Sequence, residues 1–149
     1  MALRGARGRA GERGQALIEA MFVIPFILAL ILLILDFGIA LDRREVMIHA
    51  VREGARAAAN GDAVSQVQAA AVDQSEGNLQ PSDVKVCYRD ENANGYPGDV
   101  NDSVEVTVNH KYKMLVGGVS WIGVPTDLSI SPTAKAPLLN PVAGATQCP

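Results

Sequence analysis

Few side chains in this sequence combine a reactive type with a useful spacing, and the two most exacting lie within a greasy run. Glu19 and Asp36 stand near the two ends of the apolar stretch 16–41. A carboxylate at the centre of a membrane helix costs about 3 kcal/mol, and less near its ends. Each acid therefore needs something to meet. Asp36, at the outer end of the run, is expected to meet headgroup-level water. Glu19 lies at the junction with a basic tail, fifth from Gly14 when Gln15 is counted first. A cut after Gly14 would leave the new ammonium of Gln15 about one helical turn from the Glu19 carboxylate. Opposite charges in a poorly hydrated place stabilise one another, within one chain or between neighbours.

A second constellation is Asp90-Glu91-Asn92-Ala93-Asn94-Gly95, which opens like the D-x-N-x-N-G of a calcium loop. There the spaced oxygens of Asp90, Asn92 and Asn94 would surround the ion while glycine makes the sharp turn. The twelfth position is Asn101, not a bidentate glutamate, so Asp99 or Asp102 would have to substitute. Asn, Gly, Pro and Asp are equally the residues of an ordinary loop between strands. Both readings stand at this level.

The two cysteines, Cys87 and Cys148, form no C-x-x-C pair and have no histidine at ligand spacing, which argues against zinc. In an oxidising compartment a disulfide between them is allowed, and closing so long a loop would stabilise by about 4 kcal/mol. Two buried thiols are the alternative. His49 and His110 have no nucleophile at useful spacing, and neither a G-x-S-x-G nor a phosphate loop is present. The expectation is a protein that is not an enzyme and has no cofactor beyond the calcium reading.

The elements that must position these residues follow from where the apolar content lies. Of 149 residues 48% are hydrophobic but only 5% aromatic, so the content is Ala, Val, Leu and Ile, and much of it falls in 16–41. Ala20 to Leu35 carries no charge and makes about 24 Å of helix, short of a hydrocarbon core of roughly 30 Å. Extension to Leu17 and Leu41 completes a span and takes in both acids. Arg4, Arg7, Arg9 and Arg13 precede it against a single acid, Glu12, while Asp42, Arg43, Arg44 and Glu45 balance one another beyond it. The positive-inside rule then places the N-terminus in the cytoplasm and everything after the span outside. Pro25, early in the helix, is expected to kink it. The whole chain carries −3, and without its first 14 residues the remainder carries −6. Such an acidic remainder argues against nucleic acid as a partner.

Beyond the span, Val46, Met47, Ala50, Val51, Gly54, Ala55 and Ala58 recur at three-then-four spacing, which continues the helix as an amphipathic rod. Asn60-Gly61 supplies its stop. Asp62 is positioned to cap a second helix running to about Gln74. The period then changes to two: Val84, Val86 and Tyr88; Val104, Val106 and Val108; Leu128 and Ile130. These predict three strands of one antiparallel sheet with one buried face. Trp121 is expected as a core plug, and 137–149 as an irregular tail.

Arg13-Gly14-Gln15-Ala16 with Glu19 resembles the processing site of type IV pilin-like proteins, cut after the glycine by a prepilin peptidase. With Pro25, Asp36-Phe37-Gly38 and Ala50-Val51-Arg52-Glu53-Gly54-Ala55-Arg56, the stretch 13–59 resembles the TadE-like family of tight-adherence pilus proteins. The resemblance implies a mature protein beginning at Gln15, with Glu19 pairing to the terminal amine of an adjacent subunit. It also implies, as partners, other pilin-like subunits and a pilus assembly platform in the cytoplasmic membrane. Gln15 stands where major pilins often carry a methylated aromatic residue, and the chain is long for the short major pilin of such systems. Both departures fit a pseudopilin.

The expected organisation is α+β and pilin-like: a basic leader 1–14, a transmembrane helix 15–41, its amphipathic continuation 42–61, an extracytoplasmic α+β domain 62–136 and the tail. Glu19, Pro25 and Asp36 are the assembly candidates within the helix. Two rival readings are an uncleaved tethered binding module, adhering through calcium at the Asp90 loop, and a secreted domain cut near Gly38-Ile39-Ala40.

Overall fold

A computed structural model describes residues 8–115, 123 and 125–149, with side chains from residue 14 onward. The expectation for Trp121 lies outside the described residues. The chain divides into two compact units, up to Gly38 and from Ile39 to Pro149. Together they hold a long N-terminal helix and small antiparallel sheets, an α+β arrangement.

In the first unit the chain is helical from Gly8, as the beginning of α1 (Gly8–Ala59), which runs through Pro25. Leu17, Met21, Phe22 and Phe26 are each at least 70% exposed, as a helix bathed in lipid would leave them. The helix is long and apolar enough to cross a membrane once.

In the second unit the later turns of α1 present the expected stripe. Met47, Ala50, Val51, Ala55 and Ala58 are buried, and Val46 is half-buried. They join Val67 and Ala71 of α2 (Val64–Asp73), Val84 and Tyr88 of β1 (Val84–Arg89), and Val104, Val106 and Val108 of β2 (Ser103–Val108) in one core. α1 ends where Gly61 takes φ +86° and donates its N–H to the Ala58 carbonyl at 3.0 Å. That left-handed turn is one glycine adopts without penalty. α2 starts differently from the expectation. Its N-cap is Ala63, whose N–H donates to Gln66 Oε1 at 3.1 Å, and Asp62 does not cap it. The reach-back glutamine satisfies one free N–H that a capping carboxylate would not reach from one residue earlier.

At Gly54 α1 lies close against its neighbours. A Cβ there would lie 3.3 Å from Val106 Cγ1 and 3.4 Å from Ala71 Cβ. Leucine at this position has nowhere to go, so Gly54→Leu should destabilise the domain by about 2 to 3 kcal/mol. Thermal melting of the purified protein beside Gly54→Ala, which asks for only a few tenths of an ångström, would test it. Equal melting temperatures for Gly54→Leu and wild type would refute the close contact.

The sheets depart from the single three-stranded expectation. β1 and β2 pair antiparallel, Val84 opposite Val108 through Arg89 opposite Ser103. The third strand of that sheet is β5 (Thr133–Pro137), beside β2. The segment carrying Leu128 and Ile130 is β4 (Asp127–Ile130), which pairs instead with β3 (His110–Lys113) in a separate two-stranded sheet. Of its two apolar residues only Ile130 is buried, and Leu128 is exposed. Alternation identifies a strand and its inner face but does not name its neighbour.

Glu105 on β2 sits between Arg89, 3.1 Å away on one side, and Lys135 of β5, 3.2 Å away on the other. Hydrogen bonds from Arg89 and then Lys135 hold its carboxyl below the usual glutamate range. The group is solvated, so screening leaves this cross-strand ladder a modest contribution.

Candidate functional site

Three groups of residues emerge once the expected site residues are placed. The first lies on α1. Gly14, Gln15, Glu19 and Pro25 are all exposed on one helix. Gln15 and Glu19 are four positions apart, so they lie about one turn apart on the same side. A cut at Gly14 would place a terminal ammonium where that carboxylate reaches it. Asp36 corrects the expectation of water at the outer end of the run, because it is fully buried, 0% exposed. A carboxylate withdrawn from water to that degree is held by protein rather than by headgroup water.

The second group is the loop 90–102 between β1 and β2. Asp90 accepts the N–H of Asn94 at 3.2 Å on Oδ1 and that of Gly95 at 2.7 Å on Oδ2. Asn92 Oδ1 also accepts from Asn94 N–H, at 3.0 Å, and Asn94 Nδ2 donates to Asp99 Oδ2 at 2.9 Å. The oxygens that a calcium ion would need are thus engaged with the loop's own donors. Among the described residues no three His, Cys, Asp or Glu side chains gather as a metal-binding set.

Asp102 holds this loop from beneath. It is fully buried, its Oδ1 accepting Glu91 N–H and its Oδ2 accepting both Gly98 N–H and Asp99 N–H, each at 3.1 Å. The sequence offers Asp102 only as an alternative calcium ligand. A local signal for its real task exists in Gly98-Asp99-Val100-Asn101-Asp102, an aspartate closing back on donors three and four residues earlier.

The third group is the tail. Cys87 and Cys148 are joined by a disulfide across a separation of 61 residues, with their Cα atoms 4.9 Å apart. Beside it Tyr88 N–H donates to the Thr146 carbonyl at 2.8 Å and Cys148 N–H to the Tyr88 carbonyl at 2.9 Å. Further back, Leu139 N–H donates to the Ala59 carbonyl and Val142 N–H to the Gly98 carbonyl, each at 2.8 Å. The tail is irregular in shape yet tied to α1, the loop and β1 in turn. The Tyr88 hydroxyl is buried without a hydrogen-bond partner among the described residues, and burial pushes its pKa up.

His49 is exposed on α1, and His110 lines a groove of about 400 Å³ with Asp83, Asn109, Lys111, Ser129 and Ser131. Among the described residues neither histidine is hydrogen-bonded to a nucleophile.

Residues 14–56 match the family described as TadE-like protein. Neither a curated protein nor a solved structure matches the chain. The match covers the segment that carries Gly14, Gln15, Glu19, Pro25 and Asp36, and stops short of the loop and the tail. Over that segment the chain is similar to the TadE-like family.

Proposed function

We propose that this chain, TadE-like over residues 14–56, is a minor pilin-like subunit of a tight-adherence pilus machine, processed after Gly14 and anchored by α1. The family match suggests a pilus-associated component, and the single apolar helix is compatible with a single-pass membrane anchor. The carrying observation is that the matched segment begins at Gly14 and brings Glu19 within a turn of Gln15 on an exposed apolar helix.

In this reading the leader stays on the cytoplasmic side of the inner membrane, held there by its arginines, and a prepilin peptidase removes it. The freed ammonium of Gln15 pairs with Glu19 of a neighbouring subunit, turning a costly group in lipid into a docking signal. The second unit, outside the membrane, contributes to surface adhesion through the filament it helps to build. Its role is structural and calls for no catalysis or cofactor.

Sequencing the N-terminus of protein recovered from membranes tests the processing step, and Gln15 is the expected first residue. Met1 on the working protein would overturn the processing, and Leu41 would instead indicate a secreted domain. Glu19→Ala should be cut normally but co-purify with the other pilus subunits at least about tenfold less well. Undiminished co-purification would remove the pairing role.

A further inference from the structure

The two outer edges of the three-stranded sheet are treated differently. Beyond β1, Tyr88 is bonded to the tail through both its N–H and its carbonyl, and the Val84 carbonyl accepts from Gln68 Nε2 at 3.1 Å. Beyond β5 the backbone groups of Thr133 and Lys135 have no partner among the described residues, and the first outward bond comes past the end of the strand, from Leu139 N–H to the Ala59 carbonyl at 2.8 Å. Val108 N–H donates to the Pro132 carbonyl at 3.1 Å and Leu138 N–H to the Asp102 carbonyl at 2.8 Å. Alternation then turns the backbone groups of Ala134 and Ala136 toward β2 and those of Thr133 and Lys135 outward. Pro137, the next outward position, has a carbonyl but no N–H.

A groove of about 270 Å³ runs along this edge, floored by small residues, Ala55 and Ala59 of α1 with Ala134 and Ala136 of β5. Arg52, Arg56 and Lys135 rim it. Glu53 engages Arg56 and Glu105 engages Lys135, but Arg52 is exposed and has no carboxylate partner among the described residues, so the rim is net positive. Lysine and proline on an edge are devices against self-pairing. A second copy laid antiparallel about its own β5 centre would set Lys135 against Lys135, and like charges directly opposite repel. The same rim attracts a strand that carries carboxylates.

We propose that the outer edge of β5 and its groove receive, by strand addition, an extended acidic segment of a different protein, one apolar side chain entering the alanine floor and carboxylates facing the arginine and lysine rim. Backbone bonds to Thr133 and Lys135 supply the docking, and the rim supplies the selectivity. The inference does not depend on the pilus reading.

Full-length protein in detergent micelles, mixed with a blocked hexapeptide of alternating glutamate and valine, tests it by amide hydrogen exchange. At saturating peptide the Thr133 and Lys135 amides should slow by at least about tenfold. A lysine-valine hexapeptide should give no protection. Arg52→Glu should weaken binding of the glutamate peptide about tenfold with an unchanged melting temperature. Absence of protection at millimolar peptide would overturn the proposal, as would equal protection by the lysine peptide. Protection without peptide that grows with protein concentration would make a second copy the occupant and overturn it too.

Discussion

Replacing Cys87 and Cys148 together by serine should lower the stability of the second unit by about 4 kcal/mol. The bond closes a loop over a sequence separation of 61, and the chain-entropy model assigns most of the effect to the unfolded state, which regains its freedom when the link is lost. The native side adds to this. The tail's bonds with Tyr88 lie beside the disulfide, so their partners drift apart once nothing fixes residue 148. Urea unfolding of the detergent-solubilised protein, oxidised wild type against the double serine variant, reads the difference. A change below about 1 kcal/mol would mean that the tail stays seated by its hydrogen bonds and packing alone.

Asp102→Ala is expected to destabilise by about 3 kcal/mol or more. Three backbone N–H groups, those of Glu91, Gly98 and Asp99, lose a charged acceptor at a fully buried position. Each orphaned donor costs about 1 kcal/mol or more unless water enters. Asp102→Asn keeps the shape but turns an amide toward donors that need an acceptor, so it should recover only part of the loss. The same denaturation in excess calcium and in excess chelator separates this role from that of a ligand. The expected loss is the same in both, and a destabilisation that appears only with calcium present would restore Asp102 to a metal site.

How much of this was legible beforehand differs from element to element. The buried stripe of α1 could be read position by position because a 3.6-residue period has one solution for which side faces the core. The valines of β1 and β2 were legible for the same reason at period two. β5 was not, since Thr133-Ala134-Lys135-Ala136-Pro137 combines weak strand formers with a proline, and its place in the sheet comes from β2 beside it. β4 was recognisable as a strand but not as the partner of β3. Of the candidate site residues, Glu19 stood out through the cost of a charge beside lipid, and Gly14 through the resemblance of its surroundings to a processing site. Asp36 looked like a boundary residue because linear position carries no record of burial. Asp102 was obscured by a familiar spacing just upstream that drew attention to calcium instead.

Gly98 explains why the loop and the tail depend on each other. With φ +104° it adopts a backbone that side-chain-bearing residues resist, and a Cβ there would stand 2.6 Å from Ala145 Cβ and 2.8 Å from the Val142 carbonyl oxygen. The tail thus passes over a point of the loop where nothing protrudes.

The disulfide also sets an order of events during synthesis. Where the chain is exported during synthesis, Cys87 reaches the oxidising side while its mate is still 61 residues behind. Until that mate arrives the first thiol is solitary, and any early oxidant or a twin thiol on a nascent sister chain can claim it. Correct closure therefore favours slow oxidation over fast, and an overproducing host with a hurried oxidising machinery should yield covalent dimers where a patient one yields monomers.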